Sequence, residues 1–326
     1  MKIPLSKIED TANAALVAHG AGVWQAAEVA RAVARAEETG NIICGLYYLE
    51  SYCKQLVTGR VNGTVEPETS KMRSGAVAVD ARYGFAQPAF SRGLPLAIDS
   101  ARECGIASLS VAHSHTCTSL GFFTEQIAMK GLIALGFTNA SAIVSGPGGK
   151  TPVIGTNPIA ITFPGDHAPR FHADFSTAAV ALGKITMAKA AGEKIPLGWA
   201  VDSNGRPTED PGAALEGSLV SAANHKGWAL GLVVELLASG LTGSANSREV
   251  SALKAEAGPP HNLGQYYILI DPSDRTDGLK SCFDHLLLSL ESDPEVRVPG
   301  MNRRTKDPVE VDGTFWAFIQ RLAGEK

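Results

Sequence analysis

Residues 112–158 read AHSHTCTSLGFFTEQIAMKGLIALGFTNASAIVSGPGGKTPVIGTNP and hold most of the chain's unusual chemistry. The residues just before them, 106–112, alternate in polarity and are rich in β-formers, which predicts a strand. Apolar residues then recur at helical spacing over 120–134, with Gly136 as the expected stop of that helix, and 137–144 is typical of a second buried strand. The pattern predicts a βαβ unit with parallel strands. Residues 113–117 would then lie at the carboxyl edge of the sheet, where open α/β sheets bind ligands.

Working outward from this unit, both ends of the chain are predicted to be helical. Helices are expected over 6–19, opened by a Ser6/Glu9 capping box, then over 25–38 and 46–57, and over 85–103 with breaks at its prolines. Further helices are expected over 177–191, from Asn224 as the cap to 241, and over 279–290 and 309–322. We expect the helices at the two ends to pack together, with the sheet inserted between them.

Composition describes an ordinary globular protein with a sizeable core. The 326 residues are 44% hydrophobic and 19% charged, with a net charge of −4. There is no basic run, which argues against nucleic acid as a partner. The most apolar stretch, 228–241, is interrupted by Glu235 and Ser239 and is too short to span a bilayer, so no membrane partner is expected. Five scattered cysteines and an N-terminus without an apolar signal region favour a cytoplasmic location.

The sequence does not match either of two common nucleotide-binding motifs, the Walker A loop and the Rossmann fingerprint. Gly149-Lys150-Thr151 is similar to the end of a Walker A loop, but Val144 occupies the place of the required first glycine. Pro152 follows where a helix should begin. No Gly-x-Gly-x-x-Gly lies between a strand and a helix, so the Rossmann fingerprint is absent as well.

His113, His115 and Cys117 alternate, and in an extended backbone they would share one face as a possible zinc site. The alternative is a polar strand end with one buried, hydrogen-bonded histidine. Because no carboxylate lies nearby at a usual ligand spacing, we expect no metal.

An anion site is better supported at the predicted helix start Asn224-His225-Lys226-Gly227. Unpaired backbone N–H groups and the positive end of the helix dipole favour an anion there, and Lys226 adds a full charge. An ordinary capped helix start with an exposed lysine is the alternative. Asp174 is similarly open to two interpretations, as a helix cap or as the acceptor for a ribose hydroxyl.

Seven segments taken in order resemble the malate/L-lactate dehydrogenase family of the second type. This family includes ureidoglycolate and sulfolactate dehydrogenases and the Δ1-piperideine/Δ1-pyrroline-2-carboxylate reductases. The segments are YCKQLVTGRVNG (52–63), TNA…GGKTPVIGTNPIAI (138–161), DFSTAAVALGKI (174–185), IPLGWAVDSNGRPTEDPGAALEG (195–217), HKGWALGLVVELLASGLTG (225–243), GQYYILIDP (264–272) and RVPGMNRR (297–304).

The resemblance implies an α/β fold with a non-Rossmann nicotinamide-binding sheet flanked by helices, an NAD or NADP cofactor, a small carboxylate substrate and a homodimer. It places a cofactor-binding sheet domain at 106–272. Residues 1–105 with 273–326 would form a helical module for substrate binding and dimerisation, which closes the active site of the other subunit. Carried over by position, the cofactor pocket falls on Thr116, Cys117, Thr118, Ser119, Thr156, Asp174, Phe175, Ser176, His225, Lys226, Gly227, Gly300, Asn302 and Arg303.

The catalytic positions depart from the family pattern. Where most members carry Ser-His-Gly and then an arginine, this chain has Ile43-Cys44-Gly45 and then Tyr48. Thr116 takes the place of the family's second histidine, one residue after His115. The acidic residue that some cyclic-imine reductases have is here Lys184.

Reduction of a ketone requires a proton donor of tuned pKa. The candidates at or near these positions are His115 first, then Cys44, Tyr48, Tyr52 and Thr116. An iminium ion accepts hydride without such a donor, so the sequence favours a cyclic 2-imino acid as substrate. A 2-hydroxy acid dehydrogenase of the malate, lactate or sulfolactate type is the first alternative, and a cofactor-binding protein without classical catalysis is the second.

Overall fold

The computed structural model describes residues 1–116, 118–293, 295–301 and 305–325. Its α-helices are α1 (Leu5–Ala18), α2 (Val23–Glu38), α3 (Leu49–Val57), α4 (Ala86–Cys104), α5 (Gly121–Ala128), α6 (Leu182–Ala191), α7 (Pro211–Glu216), α8 (His225–Glu235), α9 (Thr276–Ser289) and α10 (Gly313–Leu322). Its strands are β1 (Lys2–Ile3), β2 (Glu68–Arg73), β3 (Ala76–Asp80), β4 (Ile106–Ser114), β5 (Ile133–Thr138), β6 (Val144–Ser145), β7 (Pro152–Ile154), β8 (Ile159–Phe163), β9 (Phe171–Phe175), β10 (Ala200–Val201), β11 (Ser218–Leu219), β12 (Leu263–Ile270) and β13 (Val309–Glu310). Short 3-10 turns lie at Ile42–Cys44, Leu46–Tyr48 and Ser273–Arg275, and a π-helical turn, Leu236–Gly240, continues α8.

A central sheet of seven strands has the order β2-β3-β4-β12-β5-β8-β9. Within the described residues, β3 and β4 form its one parallel pair, and the other neighbours run antiparallel. This mixed sheet differs from the all-parallel sheet of doubly wound dinucleotide-binding domains. Helices α4 and α5 cover it and bury an apolar core that includes Phe90, Phe123 and Tyr267.

The βαβ prediction is confirmed in its strand direction, because β4 and β5 are both antiparallel to β12 and therefore parallel to each other. Its boundaries were wrong. Helix α5 ends at Ala128, since Gly131 takes a left-handed φ of 83°, and β5 begins at Ile133. Gly136, expected as the helix stop, lies inside β5, where a Cβ would meet Thr124 and the Tyr267 ring.

The N-terminal helices do pack with the end of the chain. Trp316 and Ile319 of α10 join the core formed by α1, α2 and α3, whereas α9 buries no residue fully. The Ser6/Glu9 capping box is not formed, because α1 begins one residue earlier, after Pro4.

The prolines do not break α4 as predicted. Pro88 lies in the first turn, where its missing N–H group costs nothing, and the helix runs on through Pro95.

The domain boundary expected at residue 105 stays a prediction. The central sheet spans that position, since β3 hydrogen bonds to β4 over five residue pairs. A smaller sheet, β10-β11-β6-β7, packs with α6 and α7 around Ile185. A turn lies at Asn204-Gly205, with Gly205 at φ 83°. Among the described residues, no helix combines the length and apolarity needed to cross a membrane.

Candidate functional site

The end of β4 carries two histidines that point to different surroundings. His113 has a positive φ of 51°, which breaks the extended backbone, and its Nδ1 lies 3.0 Å from Asp80 Oδ1. His115 instead enters the core, where its ring stacks on His261 at 4.0 Å. The alternation that would place both rings on one face is therefore lost. Among the described residues, no three His, Cys, Asp or Glu side chains form a group that could hold a metal ion, and Cys117 lies outside them.

His115 is 1% exposed and is hydrogen-bonded through Nε2 to Gln55 Oε1 at 2.9 Å. Gln55 Nε2 donates to two backbone carbonyls, so its Oε1 must accept, and His115 donates from Nε2. Burial holds the pKa of His115 well below its ordinary value, and His261 and Arg60 lower it further. The imidazole is neutral with its proton engaged by the protein, which fits a wall of the site better than a proton donor.

Cys44 and Tyr48 come together on the two 3-10 turns after α2. Glu37 fixes these turns by accepting the Leu46 N–H at 2.8 Å, and a Cβ at Gly45 would meet that carboxylate at 2.2 Å. Burial and then the Asp174 carboxylate raise the pKa of the Cys44 thiol to about 12. Burial and then Cys44 and Tyr47 raise the pKa of Tyr48 to about 12 as well. Both groups stay protonated at neutral pH but are weak acids.

Tyr52 is buried beneath the two 3-10 turns. It is 1% exposed and packs between Tyr48, Phe85 and His115, with ring centroids 5.5–6.0 Å away. Its burial makes it part of the packing beneath Tyr48, although sequence reasoning grouped it with the possible proton donors.

Asp174 joins the end of β9 to the start of α5. Its Oδ2 accepts the Gly121 N–H at 2.8 Å and the Ser119 hydroxyl at 3.3 Å. A Cβ at Gly121 would lie 2.9 Å from that oxygen, so this contact requires glycine. Asp174 therefore caps α5, a helix distant in sequence, and is an exposed residue. The contact brings the loop of Thr116, Thr118 and Ser119 to the edge of β9.

Three further segments meet at this edge. The Thr156 carbonyl accepts the Ser176 hydroxyl at 3.0 Å and the Thr177 N–H at 3.0 Å. The Thr177 carbonyl in turn accepts the Ala222 N–H at 2.9 Å, just before α8. Thr156 and Ser176 thus lie on the same connected edge as the N-terminus of α8, while the Phe175 ring is 45% exposed beside them.

The N-terminus of α8 fits a bound diphosphate. Asn224 has a φ of 55° and makes no side-chain cap, contrary to the cap expected from the sequence, so no capping side chain competes with an anion for the first-turn N–H groups. One of these groups, the N–H of Lys226, donates to the Ala223 carbonyl at 3.3 Å. A Cβ at Gly227 would meet the Ala222 carbonyl at 1.9 Å, so only glycine permits this tight entry. His225 and Lys226 are exposed, and no ion pair ties Lys226 to a carboxylate in the described part of the chain. The residues present therefore fit a dinucleotide.

Gly300 lies against β9. Its φ is 83°, and a Cβ there would meet the His172 backbone N at 2.4 Å, so the turn can approach the strand only as glycine. A cavity of about 440 Å³ opens beside it, lined in part by Arg35, Arg170 and His172. Asn302 and Arg303, assigned to the cofactor pocket, lie outside the described residues.

Sequence reasoning missed the loop of residues 250–262, which folds back over α3. It brings His261 onto His115 and Lys254 onto the rings of Tyr47 and Tyr48. No periodic pattern predicts this placement, since it depends on contacts some 200 positions apart. The one local signal is the adjacent Tyr47-Tyr48 pair, an aromatic surface suited to a cation.

Comparison with known proteins agrees with this architecture. The family model described as malate/L-lactate dehydrogenase matches residues 3–311. The chain is 39% identical over 301 residues to a (2R)-3-sulfolactate dehydrogenase (NADP(+)) of Chromohalobacter salexigens, covering 92% of this chain and 90% of that one. It is 36% identical over 332 residues to a Δ1-pyrroline-2-carboxylate reductase of Ancylobacter novellus, covering 99% and 97%. The crystal structure of a Δ1-piperideine-2-carboxylate reductase from Pseudomonas syringae superposes with a TM-score of 0.90 at 32% identity, covering 99% of each chain.

Proposed function

We propose that this chain, which belongs to the malate/L-lactate dehydrogenase family and is an NAD(P)-dependent oxidoreductase, reduces a cyclic 2-imino carboxylate such as Δ1-pyrroline- or Δ1-piperideine-2-carboxylate. The observation that carries this choice is the pair Cys44 and Tyr48. Both have a pKa near 12 at the place where the family has its proton donor and its arginine.

The dinucleotide is assigned to the edge where β9, the loop after β4 and α8 meet. The α8 N-terminus and Lys226 would hold its diphosphate, with Thr156, Ser176 and Asp174 along the same edge. When bound, the reduced nicotinamide supplies the hydride. Retention of this anion site argues against a family member that has lost catalysis.

The chain's own groups suit an iminium substrate. A ketone that gains hydride becomes an alkoxide and needs a proton from a donor whose pKa lies near the working pH. The proton donors predicted from the sequence do not meet that requirement, since Cys44 and Tyr48 are weak acids and His115 holds its proton on Gln55. An iminium ion becomes a neutral amine and needs no proton in that step.

A second candidate is reduction of a 2-oxo acid to a 2-hydroxy acid, or its reverse. It is favoured by the 39% identity to a sulfolactate dehydrogenase, slightly above the 36% to the pyrroline-2-carboxylate reductase. The two candidates share the cofactor and the carboxylate and differ in the proton donor that they need.

The direct test is oxidation of NADPH and NADH by the purified protein with each cyclic imine. We expect steady turnover with at least one imine. Lys226→Ala should raise the cofactor KM by about 10- to 100-fold, the usual loss for a hydrogen bond to a charged group. The proposal would be refuted if neither NADPH nor NADH bound to the protein in a fluorescence titration and neither was oxidised.

The four described cysteines, Cys44, Cys53, Cys104 and Cys282, are free thiols. This is the condition expected in a reducing compartment and supports cytoplasm as part of the same proposal.

A homodimer is also part of the proposal, and α8 provides the surface for it. Its buried face carries Gly227, Gly231 and Val234, whereas the opposite face exposes apolar side chains. These include Leu230, Leu232, Val233 and Leu236, which are 36–68% exposed, and Leu241 follows at 62%. A continuous apolar stripe of this kind marks a protein interface.

We expect sedimentation at micromolar concentration to give a dimer, and the double variant Val233→Glu/Leu236→Glu to give a monomer, because two charges would be buried in the contact. Leu286→Glu is the matched control, since Leu286 is 58% exposed on α9, away from the stripe. A stable, active wild-type monomer would contradict the dimer.

A further inference from the structure

Lys254 holds a cation over the aromatic pair Tyr47 and Tyr48. Its Nζ lies 3.2 Å from the centroid of the Tyr47 ring and 5.0 Å from that of Tyr48. The side chain is exposed, and none of the ion pairs among the described residues uses it. An ammonium group on an aromatic face keeps N–H donors for an anion on its other side. Lys254 is therefore an available cation.

The backbone around Lys254 is fixed on both sides. Gln55 Nε2 donates to the carbonyls of Leu253 and Ala255, each at 2.8 Å. Arg60, which is 1% exposed, donates from Nε to the Pro259 carbonyl at 3.1 Å and from Nη1 to the Ala252 carbonyl at 3.1 Å. A buried arginine and a buried amide thus hold this loop by its main chain. The fold therefore fixes the main chain from which Lys254 reaches the rings.

The rings below Lys254 belong to the candidate site. Tyr48 lies beside Cys44, and Cys44 lies close enough to Asp174 for that carboxylate to raise the pKa of its thiol. Asp174 is already bound by Gly121 N–H and Ser119, so its charge is partly satisfied. Among the described residues, Lys254 is the cation whose charge lies over both the Tyr47 and Tyr48 rings.

We propose that Lys254 binds the carboxylate of the substrate and so supplies the cation that the sequence lacks at Tyr48. This rests on the proposed function, since it assigns a residue to the carboxylate of that same substrate. The charge comes from the loop that Gln55 of α3 holds by its main chain. The positive charge would favour imines that carry a 2-carboxylate over neutral imines.

Lys254→Gln tests the assignment, because it removes the charge and keeps most of the side chain. We expect the KM for Δ1-pyrroline-2-carboxylate to rise by about 10- to 100-fold, while kcat and the cofactor KM change by less than about twofold. Lys254→Arg should recover most of the loss. Lys54→Gln is the control. Lys54 is also exposed and pairs with Glu256 of the same loop, but it does not lie over the rings.

A binding measurement separates this proposal from the proposed function. Pyrrole-2-carboxylate and its neutral carboxamide are titrated calorimetrically into the full-length protein with NADPH. Weaker carboxylate binding by Lys254→Gln, with equal carboxamide binding, supports Lys254 even if no imine is turned over. An unchanged carboxylate affinity or KM, an equal loss in Lys54→Gln, or no carboxylate binding by the wild type overturns it.

Discussion

Replacing Cys44 by histidine is expected to raise kcat/KM for 2-oxo acids by about 100-fold or more, because general acid catalysis contributes about 10²- to 10⁴-fold. The imidazole would stand where the family places its donor, near the Asp174 carboxylate that now raises the pKa of the thiol. Burial, the larger cause of the thiol's raised pKa, would lower the pKa of this imidazole, and the Asp174 carboxylate would raise it, so its pKa would lie closer to the working pH than that of the thiol. Turnover of cyclic imines should change little, since their reduction needs no proton from the protein in the hydride step.

The same reasoning predicts the preference of the wild type. Both cyclic imines should be reduced with kcat/KM about 10²- to 10⁴-fold above that for pyruvate, oxaloacetate or sulfopyruvate. The measurement is NADPH or NADH oxidation with the five substrates in parallel. Cys44→Asn is the matched variant for Cys44→His, because it adds polar bulk without an acid and should leave the 2-oxo acids slow.

Two results would contradict this account. One is equal 2-oxo acid turnover by Cys44→His and Cys44→Asn. The other is faster turnover of any 2-oxo acid than of both imines by the wild type, with that rate lost in His115→Ala. The second result would show that His115 donates the proton despite its burial and its bond to Gln55.

The sequence was a good guide where the information is local. Alternating and 3.6-residue patterns located β4, α5 and the helices at both ends, since each element buries one face against its neighbours. The patterns could not show that β12, more than 120 residues later, inserts between β4 and β5. They also could not rank Gly131 against Gly136 as the helix stop, because a left-handed turn and a close packing contact both select glycine.

The site was predictable to a similar extent. The anion site at Lys226 follows from a helix start, whose exposed amides are a property of the helix itself. The environment of His115 does not follow from its neighbours, since burial comes from Gln55 on α3 and from His261 in a distant loop. The position of Lys254 over Tyr47 and Tyr48 could not be predicted for the same reason. Residues whose role depends on local backbone can be assigned from sequence, and those whose role depends on long-range burial require the fold.

Acid is expected to destabilise the protein through the stacked pair His115 and His261, each 1% exposed. Burial and then Arg60 lower the pKa of His261 to about 3, and burial lowers that of His115 well below its ordinary value. Unfolded histidines titrate near 6.5. Below that pH the two imidazoles bind protons in the unfolded chain but stay neutral in the folded chain. The free energy of unfolding therefore falls as the pH falls.

The loss should begin at about pH 6.5 and continue towards the folded pKa, at up to about 1.4 kcal/mol per pH unit for each histidine. Above about pH 6.5 the pair should contribute no pH dependence. Urea unfolding at fixed protein concentration between pH 7.5 and 5 measures this, and His261→Gln should reduce the slope below pH 6.5 by about 1 kcal/mol per unit relative to the wild type. His167→Gln, at an exposed position, should leave the slope unchanged. The decisive comparison is between the slopes of these variants, because carboxylates titrate in all three proteins alike. A wild-type slope equal to that of His261→Gln would mean that the folded protein protonates this imidazole as readily as the unfolded chain does, and that the stacked pair is not kept neutral by its burial.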